Sequence, residues 1–113
     1  MITIRRVYDP EMPGEHYKVL VDRFWPRGIS REKADWHEWL RDISPSNELR
    51  KWYNHDPDKW EEFRLMYRKE LTGKQEELER LKQLEIKHGT LTLLYSSKED
   101  KYNNAAALRE FLM

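Results

Sequence analysis

The sequence contains no cysteine. Disulfide bonds, a thiolate nucleophile and a cysteine-based zinc site are therefore excluded, and a reducing compartment is compatible with the chain. The first ten residues, MITIRRVYDP, include two arginines and no long apolar run, which argues against a signal peptide and against a membrane-spanning segment. We therefore predict a cytoplasmic protein that does not contact a membrane.

The chain also lacks net charge, because 21 basic residues balance 21 acidic ones. Such a chain has no long-range field that would attract DNA, RNA or an anionic membrane, so any anion site must be local and a nucleic-acid partner is not expected. Five Trp, six Tyr and three Phe supply large apolar areas that disordered chains usually lack. With 113 residues and no repeat or linker, we predict one compact domain spanning residues 1–113.

Three segments have the composition of β-strands: residues 2–8, 17–24 and 90–97. Side chains alternate along a strand. In the second segment this alternation predicts that Val19, Val21, Arg23 and Trp25 share one face and that Leu20, Asp22 and Phe24 share the other.

Helical spacing of apolar residues predicts five helices, over residues 30–43, 46–56, 57–71, 72–89 and 104–113. Asp35, with Glu38 three residues later, is the expected cap of the first helix. Ser46 and Asp56 are the expected caps of the next two. Thr72 and Gln75 are the expected capping pair of the fourth, which Gly89 is expected to end. The 72–89 helix has a narrow apolar face and many charges, so it is a candidate for a protruding segment. The sequence indicates neither the role of this segment nor the oligomeric state of the protein.

This order of elements predicts an α/β fold with a small, mostly parallel sheet flanked by helices. A helical crossover favours parallel neighbours, so strands 17–24 and 90–97 are expected side by side with their carboxyl ends at one edge. That arrangement brings the segments DRFWPR and SSKEDKYNN together. Open α/β sheets bind ligands at this edge.

Cations follow both of these strands: Arg23 and Arg27 after the first, and Lys98 after the second. With the backbone amides near Asn103 and Asn104 at the start of the last helix, they predict a pocket for phosphate or carboxylate. Trp25 is expected in its wall. The alternative is that the arginines pair with Asp22, Glu32 or another carboxylate, or stack on Trp25, as structural arginines often do.

If the pocket is catalytic, His55 and Asp22 are the best candidates for proton transfer, since histidine titrates near neutral pH. His55 and Asp56 also resemble part of a metal site, but the other histidines follow no ligand spacing, so neither a metal nor another cofactor is expected. Ser96 and Ser97 lack the Gly-x-Ser-x-Gly turn of a nucleophile and are interpreted as hydrogen-bonding residues at a strand end.

Four tryptophans recur at helical spacing, namely Trp36, Trp39, Trp52 and Trp60. They indicate an aromatic core together with Phe63, because a base-stacking surface is normally flanked by excess basic charge. Tyr67 also lies on the inward face of its predicted helix.

Three stretches carry a resemblance to a known family: VDRFWPRG, SPSNELRKWYNHDPDKWEEFRLMYRKEL and TLTLLYSSKEDKYNNAAALREFL. Together they resemble the YeaO-like branch of the domain of unknown function 488 family, over nearly the whole chain. The resemblance implies a single, uncharacterised bacterial or archaeal domain and supplies no substrate. The polar motif positions it implies are Asp22, Arg23, Trp25, Arg27, His55, Asp56, Lys98, Asn103 and Asn104. The loop MPGEH is the main departure from the pattern.

Two functional hypotheses follow. In the first, the pocket binds a small anionic ligand, a nucleotide or a phosphorylated metabolite, with catalysis left undecided. In the second, the chain is a regulatory or interaction module whose charged 74–88 helix and exposed tryptophans contact a partner protein or nucleic acid.

Overall fold

A four-stranded sheet lies at the centre of the molecule. The structure is a computed structural model that describes all 113 residues. The strands are β1 (Ile2–Arg6), β2 (Tyr17–Leu20), β3 (Glu38–Trp39) and β4 (Leu91–Tyr95). They are all parallel, in the order β1-β4-β2-β3. The predicted α/β class and the pairing of the 17–24 and 90–97 segments are therefore confirmed, with Val19 opposite Leu93.

Helices cover one face of this sheet. They are α1 (Asn47–Tyr53), α2 (Trp60–Leu71), α3 (Gln75–His88) and α4 (Asn104–Leu112), with short 3₁₀ helices at Arg41–Ile43 and Pro57–Lys59. Two predicted caps are confirmed, since the Ser46 hydroxyl accepts from the Leu49 N–H and the Asp56 carboxylate accepts from the Asp58 N–H. However, α1 ends at Tyr53, because Asn54 turns into the left-handed region (φ 46°) well before Pro57.

The main core lies between the sheet and the helices and contains 18 buried residues. Phe63 and Tyr67 are among its largest members, and the Tyr67 hydroxyl donates to the Ile43 carbonyl at 2.6 Å. A smaller cluster on the other side, Val7, Leu20 and Leu94, is covered by side chains that include Trp36 and Trp39. Trp52 and Trp60 pack against the main core. The interpretation of these tryptophans and Tyr67 as packing residues is thus confirmed.

The predicted helix over residues 30–43 is wrong. Strand β3 occupies Glu38–Trp39 and the 3₁₀ helix Arg41–Ile43 follows it. Next to β3, the His37 N–H donates to the Lys18 carbonyl and the Leu40 N–H donates to the Leu20 carbonyl, both at 2.9 Å. The expected cap, Asp35, instead binds the buried Arg5 guanidinium. Tryptophan is favoured in strands as well as tolerated in helices, and pairing with the open edge of β2 decided the outcome.

The charged 72–89 segment does not protrude. Helix α3 buries Leu78, Leu81 and Leu84 in the main core, and Gly89 ends it at φ +81° as expected. The predicted capping pair does not form, because the Thr72 hydroxyl donates back to the Lys69 carbonyl instead of capping α3.

None of the helices has both the length and the apolar character that crossing a bilayer requires. The cytoplasmic location stays a prediction.

Candidate functional site

The carboxyl ends of β2 and β4 are joined by side chains. The Asp22 carboxylate accepts hydrogen bonds from the Ser96 backbone N–H at 2.9 Å and from the Ser96 hydroxyl at 2.7 Å. It also accepts one from the Asn104 amide at 3.0 Å, at the start of α4. The predicted meeting of segments 22–27 and 96–104 is confirmed.

A cavity of about 770 Å³ lies at this edge of the sheet. Its wall is formed by residues 22–27 together with Arg6, Tyr8, Ser44, Pro45, Arg50, Tyr53, His55, Phe63, Ser96, Ser97, Lys98, Asn103 and Asn104. This wall includes all eight residues that the sequence predicts for a catalytic or ligand-binding site: His55, Asp22, Arg23, Trp25, Arg27, Lys98, Asn103 and Asn104. The fold therefore gathers these residues around one space.

The cavity wall is strongly cationic. It carries five basic side chains, Arg6, Arg23, Arg27, Arg50 and Lys98, and a single carboxylate, that of Asp22. None of the five forms an ion pair with a carboxylate. The protein thus leaves their positive charge uncompensated at the cavity.

Backbone carbonyls fix two of these guanidinium groups. Arg23 donates from Nε and Nη2 to the Pro45 carbonyl at 3.2 and 3.1 Å. Arg6 donates from Nε to the carbonyls of Ser96 and Ser97 at 3.3 and 3.0 Å. A carbonyl orients a guanidinium group but does not neutralise it, so both cations retain their full charge.

The alternative interpretation of the arginines, pairing with Asp22 or Glu32 or stacking on Trp25, is wrong. Arg31 is the residue whose guanidinium lies over the Trp25 ring, at 4.1 Å. Arg27 and Lys98 are exposed and make no side-chain hydrogen bond within the protein, and their donors are free for a ligand.

Asp22 is partly buried, and burial raises the pKa of its carboxyl above the usual range. The hydrogen bonds from Ser96 and Asn104 and the nearby His55 act in the opposite direction and only partly offset this effect. Its two oxygens already accept three donors, so they are committed to joining the two strand ends and α4.

His55 lies on the exposed rim, in a turn where both Asn54 and His55 have positive φ, 46° and 57°. Its Nδ1 is 3.3 Å from the Ser97 hydroxyl oxygen. The neighbouring Asp56 caps the next turn. No group of three His, Asp or Glu side chains is arranged to hold a metal ion.

Internal hydrogen bonds occupy other nominated side chains. The Asn103 side chain caps α4 by accepting from the Ala106 N–H, and it donates to the Glu99 carbonyl. Asn104 donates to Asp22 and to the Val21 carbonyl. None of the loop and cap backbone hydrogen bonds is donated by the Asn104 N–H.

Trp25 forms part of the cavity wall but packs mainly against other tryptophans. Its ring centroid is 4.9 Å from that of Trp36, and its indole N–H donates to the Ile29 carbonyl at 2.6 Å. Trp36 covers the side of the sheet that holds Leu20. The prediction that Trp25 shares a face with Val21 is therefore wrong, because β2 ends at Leu20 and regular alternation ends with it.

Four further residues line the cavity although no motif in the sequence marks them as site residues: Arg6, Arg50, Tyr8 and Phe24. The place of Arg6 in the sequence could have predicted its role in the cavity wall. Arg6 is the last residue of β1, and parallel strands all end at the same edge of the sheet. Arg50 lies within α1, and only the packing of that helix reveals that its guanidinium stands over Phe24, 5.0 Å from the ring centroid.

The whole chain, residues 1–113, matches a family model described as "Inactive DUF488-N3 subclade". The chain belongs to the domain of unknown function 488 family. The resemblance inferred from the three motifs is thereby confirmed, including its YeaO-like character.

Curated relatives of this domain of unknown function 488 protein are uncharacterised. It is 40% identical over 111 residues to the uncharacterised protein YeaO of Escherichia coli (strain K12), covering 98% of this chain and 96% of that protein. It is 41% identical over 70 residues to the uncharacterised proteins Mb3100c of Mycobacterium bovis and Rv3073c of Mycobacterium tuberculosis. That match covers 62% of this chain and 59% of each relative. No solved structure matches.

Proposed function

We propose that the cavity at the carboxyl edge of the sheet binds a small anionic ligand, a nucleotide or a phosphorylated metabolite, without converting it chemically. The observation that carries the proposal is the set of five basic side chains around one cavity, none of them paired with a carboxylate. Elsewhere in the same chain, buried cations such as Arg5 and Lys18 do have carboxylate partners.

A bound anion would compensate the positive charge of this cavity wall. Guanidinium groups bind phosphate and carboxylate oxygens through paired N–H donors, and these charge-assisted bonds are among the strongest hydrogen bonds in proteins. Arg6 and Arg23 are held in place by carbonyls before any ligand arrives. Such preorganisation lowers the cost of ordering the site on binding.

Two observations favour binding over turnover. The matching family model is described as an inactive subclade. In addition, the carboxylate of Asp22 accepts three internal donors, so its proposed role is to hold the cavity together and not to transfer protons. His55 is then a rim residue that donates to or accepts from the ligand.

The interaction-module hypothesis has less support. Helix α3 packs into the core through Leu78, Leu81 and Leu84. None of the five tryptophans is fully exposed, so a partner would have to bind the exposed charged face of α3 without them.

A thermal-shift screen with phosphate-bearing metabolites and nucleotides tests the proposal. We expect stabilising ligands for the wild type and their loss in the double variant Arg27→Gln plus Lys98→Gln. These two side chains make no internal hydrogen bond, so their replacement should not disturb the fold.

The matched control is the double variant Lys82→Gln plus Lys87→Gln, which removes the same charge from exposed positions of α3. It should respond to ligand as the wild type does. If no phosphate-bearing compound stabilises the wild type, or if both double variants respond equally, the proposal is wrong.

A further inference from the structure

We infer that the ligand of this cavity is a nucleoside di- or triphosphate, with its phosphate chain among the basic side chains and its base against Tyr8 or Phe24. The inference rests on the proposed function and narrows it to one class of compound. Three features of the wall lead to it: the volume, the amount of positive charge, and two exposed aromatic rings.

The volume exceeds what an inorganic anion needs. At about 770 Å³, the cavity lies within the range of roughly 300–1,000 Å³ typical of sites for drug-sized organic ligands. A phosphate or sulfate ion would leave most of this space to solvent. The bound compound therefore carries a substantial organic part as well as its anionic groups.

The positive charge exceeds what one phosphate group neutralises. A phosphate monoester carries about −1.5 to −2 near pH 7, whereas five basic side chains face the cavity with one carboxylate among them. The fixed guanidinium groups are also anchored at separate places. Arg6 is held at the end of β4, and Arg23 is held at Pro45, just before α1. A chain of two or three phosphates has the charge and the extent to contact both.

Two aromatic rings at the cavity are partly exposed to solvent. Tyr8 is 43% exposed and Phe24 is 52% exposed, and neither belongs to a hydrophobic core cluster. The guanidinium of Arg6 stands 4.6 Å from the Tyr8 ring centroid, and that of Arg50 stands 5.0 Å from the Phe24 ring centroid. The Tyr8 hydroxyl donates to the Arg27 carbonyl at 2.7 Å, which holds the ring at the cavity.

This combination of flat rings and guanidinium planes beside a polyphosphate site is suited to a nucleobase. Bases stack on aromatic side chains and on arginine, and the contact tolerates different bases because every base has a π-face. A sugar phosphate offers no flat ring for these surfaces. A nucleotide uses the rings and the cations at the same time.

Isothermal titration calorimetry with ATP, GTP, inorganic triphosphate and adenosine provides the first test. We expect at least one nucleoside triphosphate to bind about fivefold or more tightly than inorganic triphosphate, the lower end of measured base-stacking contributions. Adenosine, which has no phosphate, should bind far more weakly than ATP.

Variants distinguish the contribution of the aromatic rings, which would contact the base, from that of the basic side chains, which would contact the phosphates. Phe24→Leu combined with Tyr8→Leu should weaken nucleotide binding about fivefold or more while inorganic triphosphate binding is unchanged. Arg27→Gln should weaken the binding of both the nucleotide and inorganic triphosphate. Tyr102→Leu is the control, because Tyr102 is an exposed aromatic residue outside the cavity wall. As a readout that needs no variant, ATP added to the wild type should shift the ring-proton NMR signals of Tyr8 or Phe24.

Equal affinities for inorganic triphosphate and the nucleotides, with unshifted ring signals, would overturn the nucleotide inference and leave the proposed anion site intact. Failure of every phosphate-bearing compound to bind would overturn both. Shifted ring signals together with a selective loss of nucleotide binding in the aromatic variant would establish the inference.

Discussion

Asp22 and Ser96 lie 74 positions apart in the chain, yet two hydrogen bonds join them at the carboxyl edge of the sheet. The bonds connect the loop after β2 to the residue after β4, and the same carboxylate reaches Asn104 at the start of α4. One side chain therefore holds together three elements that form the cavity wall.

Replacing this carboxylate with an amide should lower the stability of the fold. In Asp22→Asn one oxygen becomes an NH₂ group that faces a donor of Ser96 or Asn104, so a partly buried polar group loses its partner. We expect the free energy of unfolding to fall by about 1–3 kcal/mol in urea denaturation. The exposed Asp42→Asn should change it by no more than about 0.5 kcal/mol. Equal effects of the two substitutions would contradict the role assigned to Asp22.

Much of this edge was predictable, because it depends on regularities that the sequence displays directly. Residues 17–24 and 90–97 each contain a run of apolar and β-branched residues, and the helices between them imply a parallel crossover. Parallel neighbours end at one edge, so the sequence predicts that Arg23 and Lys98 lie near each other. The caps at Ser46 and Asp56 are equally local signals.

The features that the sequence does not predict depend on contacts between residues far apart in the chain, which compete with local helix formation. Residues 36–43 have helical spacing, but the open edge of β2 offers backbone hydrogen bonds that a helix at this position would not satisfy. The side chains of Asp35 and Glu38, expected as caps, bind Arg5 and Arg80 instead. Arg50 reaches the cavity only because of how α1 packs, which no local pattern specifies.

The buried Arg5 offers a sharp comparison with an exposed arginine. Arg5 donates to Glu15 and Asp35, both at 2.8 Å, and the Glu15 side chain is only 2% exposed. Arg5→Ala leaves that carboxylate buried without a cation and should cost about 3–5 kcal/mol in free energy of unfolding. Arg80→Ala breaks a surface pair with Glu38 and should lower the stability much less, because solvent screens an exposed ion pair.

Chemical denaturation of the two variants measures this difference. Losses of similar size would show that the Arg5 network is no more important than a surface pair. A variant of Arg5 that is unfolded at every urea concentration would agree with the prediction, provided that Arg80→Ala is folded.

Tyr53 should make stability depend on pH in the alkaline range. Its hydroxyl donates to the Tyr102 carbonyl at 2.7 Å, and burial, followed by the nearby Glu99 and Asp56, raises its pKa to about 12. Because this folded-state pKa exceeds the unfolded value of about 10, the neutral form is favoured in the folded protein. The resulting stability is fully present below pH 10 and is lost as the pH rises through 12.

Tyr53→Phe cannot ionise at this position. At pH 8 we expect the variant to be less stable than the wild type by about 1 kcal/mol, the value of one hydrogen bond. The gap should narrow between about pH 10 and pH 12, as urea denaturation at several pH values would measure. Tyr102→Phe is the control, since its hydroxyl makes no internal hydrogen bond. A constant gap for Tyr53→Phe would contradict the assignment.

Gly89 and Gly73 provide a matched test of backbone conformation at the two ends of α3. Gly89 has φ +81° and an added Cβ there would meet no atom within 4 Å, so only the backbone conformation opposes a side chain. Gly89→Ala should therefore lower the free energy of unfolding by about 1–2 kcal/mol. Gly73 lacks a positive φ and has only an ordinary contact, 3.6 Å to the Glu70 carbonyl oxygen. Gly73→Ala should be neutral or stabilising by up to about 1 kcal/mol. Urea denaturation of both variants measures this difference in the free energy of unfolding. If Gly89→Ala were as stable as Gly73→Ala, α3 would not require glycine at its carboxyl end.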